Sequence, residues 1–222
     1  MRGRTIKVIL AIILIGFGFL FGYYLIFLRF VRVPTGSMSN TVIPGDHLVI
    51  NKTVGKIERG DLLIFKFPRN PSEKYISRAI GLPGETIEIR DKSIYINGKE
   101  LSERRVTVKA EPSGSFAALE ELSTEGVGPY RVFYDSRVQG NEPSFPSDPK
   151  DESYGIHTPF QIPANQYFVM GDNRDNSYDS RFWGTLSREA IVGKPTLIYW
   201  SSHLNQSGVE EVKWERIFTS IR

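Results

Sequence analysis

Thr86-Ile-Glu-Ile-Arg-Asp-Lys-Ser-Ile-Tyr-Ile-Asn97 decides the fold class. On either side of Asp91-Lys92 an apolar residue recurs at every second position, the period of a strand with one buried face. Two such runs around a short polar break read as a β-hairpin. Similar short runs fill much of the chain: His47-Leu-Val-Ile-Asn51, Leu62-Leu-Ile-Phe-Lys-Phe67, Tyr167-Phe-Val-Met170 and Pro195-Thr-Leu-Ile-Tyr-Trp200. Turn signals separate them at Pro44-Gly45, Arg59-Gly-Asp61, Leu82-Pro-Gly84 and Asn97-Gly98. Beyond Arg32 no long amphipathic helix is expected, so the fold class is all-β. The stretch from about 99 to 160 differs. It is rich in Glu, Ser, Gly and Pro, and reads as an insertion with long loops.

Ahead of the strands, Val8–Leu28 is uncharged and strongly apolar. Its length of about 21 residues suffices, at a rise of about 1.5 Å each, to cross a bilayer core of about 30 Å. Arg2, Arg4 and Lys7 precede it and Arg29 and Arg32 follow, a small asymmetry that favours a cytoplasmic N-terminus. A cleavable signal peptide is the rival, but Arg29-Phe-Val-Arg-Val-Pro34 offers no small-residue cleavage site. An uncleaved signal anchor is the expectation, with the rest of the chain on the outer face of the membrane. The net charge is only +3, with basic residues scattered, so nucleic acid is not an expected partner. The chain has no cysteine and three well-separated histidines, His47, His157 and His203. Thiol chemistry, disulfides and metal-ligand spacings are thereby set aside, and no cofactor or metal is expected.

Chemistry concentrates in Gly171-Asp-Asn-Arg-Asp-Asn-Ser-Tyr-Asp-Ser-Arg-Phe-Trp-Gly184, which follows an apolar strand and ends in aromatic residues. A segment this polar between apolar neighbours reads as an internal scaffold, because buried charges must be paired and buried polar groups hydrogen-bonded. A surface loop with Asx turns is the bland alternative. Upstream lies Pro34-Thr-Gly-Ser-Met38, where a serine after a glycine is approachable enough for a nucleophile. Alone that motif is weak, since most Gly-Ser pairs are turns.

In order, Pro34–Met38, Pro44-Gly-Asp46, Arg59-Gly-Asp61, Tyr75-Ile-Ser-Arg-Ala-Ile-Gly-Leu-Pro-Gly84 and Gly171–Gly184 resemble the motifs of bacterial type I signal peptidases. These are membrane-anchored serine proteases that remove signal peptides from exported preproteins after small residues. The resemblance implies a β-sheet catalytic domain (29–85 and 164–222) with an inserted β subdomain (86–163). A cytoplasmic N-terminus (1–7) and a transmembrane anchor (8–28) would precede it. It also implies Ser37 as nucleophile, Met38 in the substrate cleft, and Thr35 with the Ser37 backbone N–H as oxyanion donors. Ser177 would orient the general base, Asp179 and Arg181 would form a supporting ion pair, and Asp172 and Arg78 would hold neighbouring backbone. Preproteins and the lipid bilayer are the implied partners, and the bacterial cytoplasmic membrane the implied location.

One departure outweighs these matches. Ser77 stands where the family carries the lysine that serves as general base. A desolvated lysine can be neutral near pH 7 and take the serine proton; a hydroxyl is too weak a base and too short. General-base catalysis contributes about 10²- to 10⁴-fold, and losing one member of a coupled nucleophile–base unit can cost about 10⁶. Lys74 is three positions away and expected on the opposite strand face, Lys66 reads as a surface charge, and His47 has suitable chemistry but sits on another strand. Asn40, usually proline in the family, is expected only to loosen a turn. Three readings remain: a signal peptidase with a substitute base or weakened mechanism, a non-catalytic peptide-binding relative, and a serine–lysine-type protease with another role such as self-cleavage.

Overall fold

The computed structural model describes residues 2–109, 119–138, 154–156, 158–204 and 207–221, without the side chains of 2–5 and 23–28. A helix, α1 (Arg2–Phe27), leads directly into the strand β1 (Leu28–Arg32). Then come β2 (Asp46–Asn51), β3 (Leu62–Phe67) and the long β4 (Asn70–Gly81). The middle of the chain supplies β5 (Thr86–Arg90), β6 (Ser93–Ile96), β7 (Lys99–Glu100), β8 (Arg104–Lys109), β9 (Glu120–Glu125), β10 (Arg131–Asp135) and β11 (Phe160–Gln161). The last part contributes β12 (Gln166–Met170), β13 (Leu186–Ser187), β14 (Ile191–Leu204), β15 (Glu210–Val212) and β16 (Thr219–Ser220). After β1, the only α-helix among the described residues is Ser180–Trp183. The protein is mostly β, as the alternation predicts.

The main sheet is nine-stranded, ordered β1-β2-β14-β3-β4-β12-β13, with β15 and β16 both paired to β14. Strand β3 reads as a continuous apolar run because both of its faces are covered. Leu62 and Ile64 pack with Val33, Met38, Leu48, Ile50 and Ile76 on one side. Leu63, Phe65 and Phe67 pack with Tyr167, Val169, Phe182 and Trp183 on the other. The expected hairpin is formed by β5 and β6, with Ile87 opposite Ile96 and Ile89 opposite Ile94. Asp91 and Lys92 both take positive φ, 49° and 63°, the geometry that matches a two-residue turn to the strand twist.

One expected boundary is corrected. The apolar segment Val8–Leu28 does not end as helix: Leu28 already pairs with Asn51 as the first residue of β1. Among the described residues no helix is long and apolar enough to cross a membrane. In the stretch from about 99 to 160 the described residues carry strands. Strands β10, β8 and β9 form a separate three-stranded sheet, with β10 parallel to β8, around buried Val106, Val108 and Phe133. Residues 110–118, 139–153 and His157, which fall in the stretch expected to carry long loops, lie outside the described residues.

A buried ion pair binds the stretch before β8 to the segment after β12. Arg174 donates through both terminal nitrogens to Glu103, just ahead of β8, and its Nε donates to the Gly171 carbonyl at 3.1 Å. Both side chains are at most 1 % exposed. The Tyr130 hydroxyl donates to the same carboxylate, and burial, reinforced by the Glu103 charge, pushes that phenol far above its ordinary pKa. Breaking a buried pair on one side strands the other charge, which costs about 3–5 kcal/mol, whereas an apolar pair of similar volume can be neutral or better. Glu103→Ala is therefore expected to lower the unfolding free energy by about 3–5 kcal/mol, read as a lower urea midpoint at unchanged slope. Glu103→Leu combined with Arg174→Met should unfold at nearly the wild-type midpoint, and equal losses in both variants would contradict this account.

Candidate active site

Ser37 sits in the loop between β1 and β2, and its position is set from the segment after β12. The Asn173 backbone N–H donates to the Ser37 carbonyl at 3.0 Å, and Asn173 Nδ2 donates to the Gly36 carbonyl at 3.0 Å. The approach is so close that only glycine fits at 171. A Cβ there would overlap Ser177 Oγ and lie 2.6 Å from the Ser37 carbonyl oxygen. Met38 is fully buried, and its sulfur accepts the Asp172 N–H at 3.3 Å. The Thr35 and Ser37 hydroxyls lie 3.4 Å apart.

A cleft of about 460 Å³ opens beside these groups. Its walls are Thr35–Ser37, the Glu73–Ser77 half of β4, and Asn176–Tyr178. The structure thus brings Thr35, Ser37, Ser77 and Ser177 to one cleft, although they lie far apart in sequence. Ser77 is buried, and its hydroxyl donates to the carbonyl of Ile76 at 2.8 Å. The β4 edge beside the cleft is open. Strand β12 pairs with β4 only at Arg78, Ala79 and Gly81, so among the described residues the backbone before Arg78 lacks a strand on that side. On its other edge β4 pairs with β3 from Lys74 to Arg78 and again at Asn70.

The remaining predicted residues form the frame. Arg78 Nε and Nη2 grip Asp172 at 2.8 and 2.6 Å, while Nη1 donates to the Gly60 carbonyl at 2.6 Å. Burial opposes the guanidinium charge, but Asp172 more than offsets it and holds the Arg78 pKa above its ordinary value. Thr41, from the Ser37 loop, donates its hydroxyl to Asp172 at 2.5 Å. Asp179 accepts two bonds of 2.8 Å from the Arg181 guanidinium and one of 3.0 Å from the Gly171 N–H. Arg181 also donates to the Arg174 carbonyl at 2.7 Å. The polar segment is an internal scaffold: Asp172, Arg174, Ser177, Asp179 and Arg181 are all buried.

Of the residues weighed as substitute bases, His47 lies outside the cleft, with its Nδ1 3.4 Å from the Tyr199 hydroxyl. Lys66 is exposed and stands opposite Lys74 in the β3–β4 register. Lys74 is exposed too, and alternation along β4 places it with Ile76, on the face opposite Tyr75 and Ser77. It nevertheless reaches the rim of the cleft.

Sequence reasoning missed Glu103, Tyr130 and Gly171. Glu103 lies in a stretch without a strand pattern, and nothing local marks it as the partner of Arg174. Gly171 carried a signal, because it opens the polar segment directly after a strand, where close backbone approach is the usual reason for glycine. Asn40 is a correction. Instead of loosening a turn, it clamps the insertion: its Oδ1 accepts the Leu119 N–H at 2.6 Å and its Nδ2 donates to the Leu119 carbonyl at 2.9 Å.

A serine presented beside a second hydroxyl, an open strand edge and a buried charged frame defines a candidate site for nucleophilic attack on an extended peptide. Comparison with known proteins agrees in class. A family model, "Signal peptidase, peptidase S26", matches residues 3–200. The chain is 35% identical over 203 residues to a signal peptidase I of Aquifex aeolicus, covering 81% of this chain and 78% of that protein. It is 32% identical over 196 residues to the signal peptidase I of Pseudomonas fluorescens, covering 77% of this chain. The match spans 64% of that Pseudomonas protein's length. A crystal structure of a signal peptidase I from Enterococcus faecalis aligns with a TM-score of 0.37 at 27% identity, covering 64% of this chain and 98% of that one. The chain belongs to the signal peptidase (peptidase S26) family.

The Asn40 clamp has a measurable consequence. Each net hydrogen bond is worth about 1 kcal/mol, so Asn40→Ala should destabilise by about 1–2 kcal/mol and accelerate amide exchange at Leu119. Asn40→Pro should not restore that protection, because proline offers neither partner. Unchanged exchange at Leu119 in both variants would show that the clamp does not hold in solution.

Proposed function

We propose that this protein is a membrane-bound serine endopeptidase of the signal peptidase type, with Ser37 as nucleophile. The observation that carries the proposal is the convergence of Ser37, Thr35, Ser77 and Ser177 on one cleft beside an unpaired strand edge. In this proposal an extended segment of a preprotein adds to the free edge of β4 before Arg78, giving main-chain hydrogen bonds, and its alternate side chains enter the cleft. The Ser37 hydroxyl oxygen adds to the scissile carbonyl carbon and its proton passes to solvent water. The adduct collapses by breaking the peptide C–N bond, the leaving amine takes a proton from water, and a second water hydrolyses the resulting ester to free Ser37. Oxyanion charge is met by the Ser37 N–H and the Thr35 hydroxyl, preorganised donors that need no rearrangement as charge develops. Arg78–Asp172 and Asp179–Arg181 keep the three wall segments in register, and Met38 packs beneath the nucleophile.

The proton on Ser37 is the weak point. Ser77 lies at the cleft where a base would sit, yet its hydroxyl is engaged by the Ile76 carbonyl and is no base near neutral pH. A strongly slowed peptidase is therefore proposed, with oxyanion stabilisation and substrate positioning as its remaining assets. That same hydrogen bond favours a second reading, a relative that binds signal peptides without cutting them. Self-cleavage has no supporting observation.

Anchoring is proposed for α1. From Ile6 to Phe21 its large apolar side chains, among them Leu14 at 70 % and Phe19 at 79 %, are exposed around the helix. A helix that is apolar all round requires an apolar medium. With Arg2, Arg4 and Lys7 ahead of it, the helix is proposed to place its N-terminus in the cytoplasm and the β domain outside.

Purified full-length protein, Ser37→Ala and Ser77→Lys should be compared on a preprotein with small residues before its cleavage site. Ser77→Lys is expected to cleave about 10²- to 10⁴-fold faster than wild type, with Ser37→Ala inert. Wild-type cleavage above the Ser37→Ala background supports the slowed enzyme. Equal inertness of these two, with gain in Ser77→Lys, leaves only the peptide-binding reading. Orientation is checked separately: protease added outside intact spheroplasts should digest the β domain, and full protection would refute the proposed topology.

A further inference from the structure

Hydroxyls surround Ser37 in its cleft, but among the described residues no group there is placed to take its proton. The titratable residues that line the cleft are Glu73, Lys74, Tyr75 and Tyr178. Glu73 accepts a bond of 2.7 Å from Asn70 Nδ2 and lies beside the Tyr75 phenol, whose pKa is raised by burial first and then by the Glu73 charge. The Tyr178 hydroxyl accepts from Arg69 Nη1 at 2.7 Å. Both phenols are neutral near pH 7 and weak as bases. Lys74 is exposed on the strand face opposite Ser77 and reaches only the rim.

Room and an unmet hydroxyl are present instead. The cleft holds about 460 Å³, and Ser77 contributes only one short side chain to its wall, with the hydroxyl turned to the Ile76 carbonyl. Ser177 is 1 % exposed yet lines the cleft, and its hydroxyl has no hydrogen-bond partner among the described residues. Buried polar groups are nearly always paired, so this hydroxyl marks a place for a ligand's polar end. Pro34, Tyr75 and Ile76 line the same cleft and give it apolar walls. Such a site suits a small molecule with one nitrogen and a short hydrocarbon tail.

We propose that the cleft binds a short primary alkylamine that serves Ser37 as a diffusible general base, an inference that rests on the peptidase reading above. The tail lies on Pro34, Tyr75 and Ile76, an N–H donates to Ser177 Oγ, and the nitrogen lone pair faces the Ser37 hydroxyl. As the Ser37 oxygen bonds to the scissile carbonyl carbon, the amine takes its proton and becomes an ammonium ion. That proton passes to the leaving nitrogen as the peptide C–N bond breaks. The amine next takes a proton from the water that attacks the ester, and returns it to Ser37 Oγ as the ester C–O bond breaks. In water an alkylamine of this kind has a pKa of about 10.4 and is protonated near pH 7. Desolvation against the apolar walls and the Lys74 cation at the rim both favour its neutral form.

The experiment follows preprotein cleavage by the full-length protein in neutral detergent and amine-free phosphate buffer, with ethylamine or propylamine added. Activation is expected to saturate at about 10²-fold, the low end of general-base catalysis. Only the free amine binds productively, so the half-activating total concentration should fall about tenfold for each unit of pH between 7 and 9. Tetramethylammonium at equal ionic strength, which carries the charge but no lone pair, should not activate. Ser37→Ala should stay inert with amine present. Ser77→Ala should keep the activation, whereas Ser77→Met, which fills the space without a nitrogen, should lose it; thermal melting checks that both are folded. If Ser77→Lys cleaves but no amine activates the wild type, the proposal is overturned and the peptidase reading stands. Equal activation of wild type and Ser77→Met also overturns it, because the amine then acts elsewhere. If neither Ser77→Lys nor the amine-treated wild type cleaves, the peptidase reading fails and the inference falls with it.

Discussion

The geometry of the site depends on one buried contact, the two-pronged grip of Arg78 on Asp172. Arg78 follows Ser77 on β4, Asp172 precedes the Asn173 that holds Ser37, and Thr41 from the nucleophile loop closes on the same carboxylate. A guanidinium and a carboxylate out of water are tolerated only when their donors and acceptors are met. Here the third arm of Arg78 finds the Gly60 carbonyl, and its plane lies against Tyr130, 4.5 Å from the ring centroid. Segments from the start, middle and end of the chain therefore have little freedom to shift. That rigidity is what a site requires when it must meet developing charge without rearrangement.

The frame extends by the same chemistry. Asp179 ties the Gly171 amide to Arg181, Arg181 reaches the Arg174 carbonyl, and Arg174 reaches into the insertion through Glu103. Asn40 makes a second link to the insertion, three residues from Ser37. The insertion is thus bonded to both sides of the site. Against this continuity, Ser77 stands apart: among the bonds of the frame its hydroxyl makes only a local one, to the carbonyl of Ile76.

Much of the fold was legible in the chain because strands announce themselves by alternation. The β5–β6 hairpin follows from Thr86–Asn97, and β2, β3, β12 and β14 lie where short apolar runs occur. The strands β8–β10 were not legible: their buried residues are few, and Arg104, Arg105, Lys109, Glu120 and Glu121 obscure the period. At the site, residues matching family motifs were readable, while Glu103 and Tyr130 were not. Partners of a buried charge are chosen by proximity in space, and Glu103 lies 71 residues from Arg174.

By itself the sequence determined the β class, the apolar leading segment, the polar scaffold at 171–184, the family, and the absence of a lysine at position 77. These follow from residue type and local period, which do not depend on what lies nearby in space. Tertiary structure alone decided that the helix ends at Phe27 with Leu28 already in a strand, and that Asn40 binds the insertion. It alone decided that Lys74, on the face opposite Ser77, still reaches the rim of the cleft. Each depends on which distant segment packs alongside, and on the rule that a buried polar group must find whatever partner the fold brings to it.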